Sequence, residues 1–434
     1  MAVTNLVQPS AYMPAYDPQW FKSSSTQTGS ANFVYTVVLT DVISGATVTK
    51  NIDPDPSGRM VFDAGSFAEQ YITQVNPSGL YGFQLNTGAI RTIRVNVGET
   101  YGTTPTYYAG SNYDYIVWNG SLDTLSTATR DMQNYAYTDY VYSQSNNIQL
   151  ITNNRNSAYT WATSSSQVFY SNAETVTANR SSYLYCLTSA TGDFQKLRVI
   201  GYDASGNVVG TNLLLNVYSA SSSYLNRYVF IDVGYDGLLN MPSATVISGT
   251  YPIPVSTYSY WEVYDESSWL PASTPPAQDY IYPLRRYNMT CEPRFDTIEI
   301  HYLSPQGSIE SQVCNKLSIR THDTTRTYYS KLPYSTSGTG AITYTYGEQI
   351  ERALITSTKS KITINTDWLE EYEVTQLRDA ISSPVIYCDF GSSRGYLAMK
   401  MVTNTYVEKR KYNDKLISVQ FDLEFCFTNL RQRG

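Results

Sequence analysis

Apolar and polar positions alternate with a period of two along much of this chain. In FVYTVVLTDVISGATVTKNI (33–52), positions 34–39 read as a strand, Ile43-Ser44-Gly45 as a turn and Thr47-Val48-Thr49 as the return strand of a hairpin. KLRVIGYDASGNVVGTNLLLNV (196–217) repeats that design around a turn at 203–207, and FDTIEIHYLSPQGSIESQVC (295–314) repeats it around 304–307. Further strands are expected at 83–97, 115–118, 227–239, 352–367, 385–390, 396–412 and 416–427. DPDPSG (53–58) and GETYGTTPTYYAGSN (98–112) read as loops, and FDAGSFAEQYI (62–72) has room for a short helix.

The period changes to 3.6 once, convincingly. NTDWLEEYEVTQLRDAISSP (365–384) sets Trp368, Leu369, Tyr372, Leu377, Ala380 and Ile381 on one helical face. Asp367 and Glu370 have capping-box spacing, and Ser382-Ser383-Pro384 ends the run, which predicts a helix over 366–382. The last strand alternates Ile417, Val419, Phe421, Leu423 and Phe425 against polar partners, and that apolar side is expected to pack on the helix. The fold class that follows is mainly β, with several sandwich- or barrel-like domains in series and one packed helix near the C-terminal end.

Length and punctuation divide the chain into three expected modules: 1–120, a central 121–290 ending in the proline-rich passage LPASTPPAQDYIYP (270–283), and 291–434. Charge supports the last boundary. Residues 1–120 carry 5 basic and 8 acidic side chains, 121–290 carry 8 and 12, and 291–434 carry 17 and 17. Charged residues are only 15% of the whole, against about 25% in ordinary soluble domains. The chain's 41 tyrosines supply polar-edged surface instead. Tyrosine suits a half-buried sheet and also a contact between subunits, and the sequence leaves both readings open. No basic block is large enough to point to direct nucleic-acid binding, and no apolar run reaches the length of a membrane span.

Candidate chemistry is sparse. Five cysteines (Cys186, Cys291, Cys314, Cys388, Cys426) are odd in number and never in a CxxC pair, which argues for free thiols. With a start, MAVTNLVQPS, that lacks signal-peptide pattern, the expected place of synthesis is a cytoplasm. His301 falls within a strand and His322 within the polar run RTHDTTR, neither beside a candidate nucleophile. Phosphate-binding, zinc-protease and calcium-loop motifs are absent. Glu262, Asp265 and Glu266 beside Trp261 and Trp269 have the flavour of a sugar cleft, but a hydrolase needs a carboxylate pair at a set separation. No catalytic, cofactor-binding or metal-ligating residue is nominated, no cofactor is called for, and the chain is not expected to be an enzyme.

The stretch ANFVYTVVLTDVISGATVTKNIDPDPSGRMVFDAGSFAEQYI (31–72), with IRVNVGETYG (93–102) and YIVWNGSL (115–122), resembles the start of structural proteins of tailed bacteriophages. The resemblance runs to those of crAss-like and related phages of Bacteroidetes hosts. INTDWLEEYEVTQLRDAISSPVIYCDF and the segment 402–427 resemble a module of phage tail-tube, tail-hub and neck proteins, so the third module is expected to be tail-type. The resemblance covers about half the chain, at its ends. It implies a virion structural subunit that repeats as a six- or twelve-fold homo-oligomeric ring in the tail, neck or connector. The implied partners are other tail, neck or portal-associated proteins, with DNA passing through the lumen without specific binding and no membrane; assembly would take place in the bacterial host cytoplasm. The alternative reading is a receptor- or glycan-binding virion protein, a fibre or adhesin.

Overall fold

A computed structural model describes residues 3–9, 12–121, 149–150, 173–176, 180–188, 196–216, 227–265, 285–289, 295–305, 307–331, 334–336, 338–340, 342–344, 350–366, 368–369, 377, 379–391, 395–403 and 418–430. The protein is mainly β, with several sheets in series. Where three modules were expected, the chain divides into two compact units: 1–292 with 303–311, and 293–302 with 312–434. Residues 1–120 and 121–290 fall in one unit because Phe83–Leu85 pairs with the strand Arg227–Asp232. The proline-rich passage 270–283 lies outside the described residues.

The first unit begins with the expected hairpin. β1 (Val34–Asp41) and β2 (Thr47–Ile52) pair antiparallel, closed by Gly45 at φ +74°. β3 (Ile90–Thr100) and β4 (Thr106–Trp118) complete a five-stranded sheet in the order Tyr12–Pro14, β4, β3, β1, β2. The segment 98–112 is therefore not a loop, apart from the turn 101–105. Gly98 stands where a Cβ would come within 2.6 Å of the Tyr107 ring, so close approach across the pair, not a turn, calls for glycine there. Phe21, on the strand Trp20–Ser25 of a three-stranded sheet, meets the Tyr113 and Tyr115 rings of β4.

The rest of this unit is a sandwich. One sheet runs Gln149–Leu150, β5 (Tyr183–Thr188), β8 (Arg227–Asp232), Phe83–Leu85. The other runs Ala173–Val176, β10 (Arg285–Met289), β9 (Tyr260–Asp265), β6 (Lys196–Tyr202), β7 (Val208–Leu215), Val246–Ser248. Leu184, Val229 and Ile231 of the first sheet share a buried cluster with Leu197, Trp261 and Val263 of the second. Strand β8 ends at Asp232, and Tyr235–Leu239 is a short helix, which corrects the expectation of strand through 239.

The second unit is built on a seven-stranded sheet. Its order is β12 (Ile309–Cys314), β11 (Ile298–Leu303), β15 (Ile386–Asp389), β16 (Leu397–Met401), β17 (Gln420–Leu430), β14 (Glu351–Asn365), β13 (Ile319–Ser330). Strand β13 runs through RTHDTTR, a polar stretch with no alternation to predict a strand. Leu377 and Ala380 of the expected helix are buried with Val419, Phe421 and Leu423, and Ile381 packs against them. Residues 377 and 379–382 are helical, but Thr366 and Trp368 are not, and Leu369 sits in an isolated bridge. The helix thus begins later than 366. Thr366 is still held by the sheet: its N–H donates to the Val419 carbonyl and its hydroxyl accepts from the Val419 N–H, each at 2.9 Å. Trp368 does not lead the buried face; it is 60% exposed, with the Lys316 ammonium 3.7 Å above its ring. Asp367, Glu370 and Tyr372 lie outside the described residues.

Candidate functional site

Trp261 and Glu262 lie on opposite faces of β9. Alternation turns Trp261 inward, where it is fully buried, stacks on Tyr287 and donates Nε1–H to the Val233 carbonyl at 3.0 Å. A tryptophan committed to the core offers no platform to a sugar. Glu262 points the other way and is buried among polar partners. Its Oε2 accepts from the Tyr264 hydroxyl, and Arg286 Nη1 lies 3.9 Å from Oε1. Arg286 covers the Tyr260 ring at 3.8 Å, and Tyr260 stacks on Tyr202 at 4.7 Å. Burial, then the Glu262 charge, pushes the Tyr264 and Tyr202 hydroxyls well above the usual phenol range. The result is an aromatic–guanidinium face around one carboxylate already engaged by Tyr264 and Arg286. Glu266 and Trp269, and the side chain of Asp265, lie outside the described residues.

The two histidines have different roles. His301 is fully buried on β11, its Nε2 3.4 Å from Glu299 Oε2 and its ring stacked 4.0 Å from that of Tyr396. His322 is exposed on β13 and its Nδ1 meets Ser360 Oγ at 2.9 Å; among the described residues no carboxylate takes up its other nitrogen. A serine–histidine contact on an open ribbon lacks the orienting group and the enclosed site that nucleophilic catalysis needs. Cys314 and Cys388 are free, buried thiols, and desolvation raises both above the ordinary thiol value. Burial thus disfavours their thiolate forms, whereas the free Cys426 is exposed. Among the described residues no group of histidine, cysteine, aspartate or glutamate is placed to hold a metal.

The feature that stands out is the ribbon β13–β14. All twelve positions of β13 are exposed, and its outer edge has no partner strand among the described residues. Strand β17 pairs with β14 only as far as Ser357, so the part formed by 326–330 and 351–356 is two strands wide. That part shows Tyr328, Leu354 and Ile355 to solvent, with Ile350 just beyond it. A two-stranded ribbon is marginal alone in water, and an uncovered apolar patch marks a contact surface. Nearer the sheet the ribbon is basic, with Arg320, Lys359 and Lys361, of which Lys361 pairs with Asp323 at 2.7 Å. Sequence reasoning missed this surface because a strand exposed on both faces leaves no period-two signature.

No family model matches the chain. No curated protein matches it either. Among solved structures, a biofilm associated protein (BSP domain) aligns over 83% of this chain and 63% of its own length, at 8% identity and a TM-score of 0.13. The chain thus spans under two thirds of that structure, and a likeness of this size carries no argument about fold or function.

Proposed function

We propose that this chain is a structural subunit of a tailed-phage particle, assembling as a symmetric ring in the tail, neck or connector. The observation that carries the reading is the β13–β14 ribbon, whose open edge and apolar outer part call for a protein partner. The low charge, the tyrosine load and the resemblance of both ends of the chain to phage structural proteins support it. Native mass spectrometry of the purified protein tests the first half, with a closed oligomer in multiples of six as the expected result. Quantitative composition of purified particles tests the second, with copy number again in multiples of six. A protein that stays monomeric and is absent from particles overturns the proposal.

A receptor- or glycan-binding role is the second reading, favoured by the Tyr202–Tyr260–Arg286 stack, since aromatic faces bind sugars. Binding on a glycan array that is lost in Tyr260→Ala would support it over the first.

A further inference from the structure

Two strand edges in this chain are exposed along their length and unpaired among the described residues. One is β13, at the end of the seven-stranded sheet; the other is β2, at the end of the five-stranded sheet. Proteins normally blunt such edges with proline, bulges or inward charges. Neither strand contains proline. The bulge between Thr327 and Tyr328 places its surplus residue, Leu354, on β14, so β13 itself runs unbroken.

In an antiparallel ladder, alternate residues turn N–H and C=O toward the partner and the others turn them away. Lys331 donates to the Ile350 carbonyl at 2.7 Å just past β13, and Asp41 donates to the Ala46 carbonyl at 2.9 Å at the closed end of the β1–β2 hairpin. Following each register from those bonds leaves Arg320, His322, Thr324, Arg326, Tyr328 and Ser330 with outward backbone groups on β13. On β2 the outward residues are Thr47, Thr49 and Asn51. The close side-chain contacts His322–Ser360 and Thr324–Thr358 fall on the same positions of β13, as pairs without mutual backbone bonds require.

We propose that the outer edge of β13 in one copy adds antiparallel to the outer edge of β2 in the next, with Thr324 opposite Thr49. This deepens the ring reading and rests on it. In that register every outward amide of β2 meets an outward residue of β13: Thr47 faces Arg326, Thr49 faces Thr324 and Asn51 faces His322. The side chains agree with the backbone. Lys50 lies opposite Asp323, and Asp53, just past the end of β2, lies opposite Arg320. The next registers that keep the hydrogen-bond phase set Lys50 against Thr321 or Thr325 and Asp53 against Ser318 or His322, and lose both charge pairs.

Long-range charge favours the same occupant. Residues 319–365 hold six basic and three acidic side chains, a net +3, which leaves −10 for the rest of a chain whose total is −7. A second copy presents that acidic remainder to the ribbon, together with a matching edge. The two edges differ, so the contact is head-to-tail, the kind that generates a ring when its rotation closes.

The test uses Lys50→Cys and Asp323→Cys, each made in full-length protein carrying Cys426→Ser to remove the exposed free thiol. Opposed residues of a pair without mutual backbone bonds have Cα atoms about 4.5 Å apart, inside the disulfide range. Mild oxidation should join chains in the mixture of the two variants, and neither variant alone should cross-link. Lys50→Glu and Asp323→Lys should each weaken association roughly tenfold through a like-charge contact, and the double variant should restore it. Oligomers that persist without the cross-link overturn the strand contact while leaving the ring reading intact. Protein that stays monomeric throughout overturns both. A disulfide within one chain of the Lys50→Cys/Asp323→Cys double variant, or binding of duplex DNA by the ribbon in place of self-association, also overturns the contact.

Discussion

Asp232 ends β8 with its carboxyl fully buried, and burial raises its pKa to about 8 although the Ser181 hydroxyl and the Ser182 and Gly234 N–H groups bond to it and pull the other way. The unfolded chain releases this proton near the ordinary carboxyl value of 3.8. Between those two values the folded state holds a proton that the unfolded state has lost, so stability falls as pH rises through the window, by on the order of 1 kcal/mol per unit. Below about pH 4 the contribution is fully present; above about 8 it is gone. Asp232→Asn keeps the acceptor for these donors and removes the titration. Urea melts across pH 4–8 should show a flatter profile for the variant and greater stability than wild type at pH 8. Gly307 gives a second prediction. It adopts φ +98°, and a Cβ there would stand 2.0 Å from the Asn119 carbonyl oxygen. Gly307→Ala should cost roughly 1–3 kcal/mol in chemical denaturation. At this scale the sequence was legible for Glu262 and Trp261 as chemistry-bearing residues, but not for the face each occupies. The partners that decide the matter, Val233 and Arg286, lie 28 and 24 positions away.

Among the elements, hairpins were readable where a strand with a buried face ran into a turn glycine, as β1 does at Gly45 and β6 at Gly206, because burial of one face forces a two-residue period. Reading failed where that cause was missing. Strand β13 buries neither face, so its residues carry no hydrophobic pattern. The helix Tyr235–Leu239 is too short to show a 3.6 period, and no side chain caps its start. The start of the longer helix was misplaced because Thr366 looks like a cap in sequence while its N–H, hydroxyl and carbonyl serve the sheet. The alternation assigned to β13 also makes a prediction. Thr325 turns its N–H toward β14 and Thr324 turns its N–H outward, so Thr325→Pro should lose a ladder bond and about 1–3 kcal/mol, with Thr324→Pro costing clearly less. Thermal melts of the two variants decide it, and equal losses would refute the phase.

For the whole molecule, charge distribution sets an expectation about assembly. If a basic ribbon meets an acidic neighbour, raising salt from about 0.05 to 0.5 M should shift native oligomers toward smaller species, since screening shortens from beyond 10 Å to a few ångströms. Analytical ultracentrifugation across that range measures it; insensitivity to salt would mean that apolar contacts alone hold the copies together. Mainly β architecture in series was evident from the sequence. The expected boundary at 290/291 lies within two residues of the division at 292/293, but the crossing of that division by one hairpin's turn was not legible.

That hairpin is β11–β12. Its turn, 303–311, belongs to the first unit although its flanks belong to the second. There the Ser121 N–H donates to the Pro305 carbonyl at 2.7 Å, the Tyr228 hydroxyl donates to the Gly307 carbonyl, and Arg285 lies 3.4 Å from Glu310. During synthesis the first unit therefore cannot finish when residue 292 emerges. It waits for the next 19 residues, a delay of about 1–4 s at roughly 5–20 residues per second. Throughout that interval Tyr228 and Ser121 lack the turn that completes them, and the nascent chain is open to chaperones at that place.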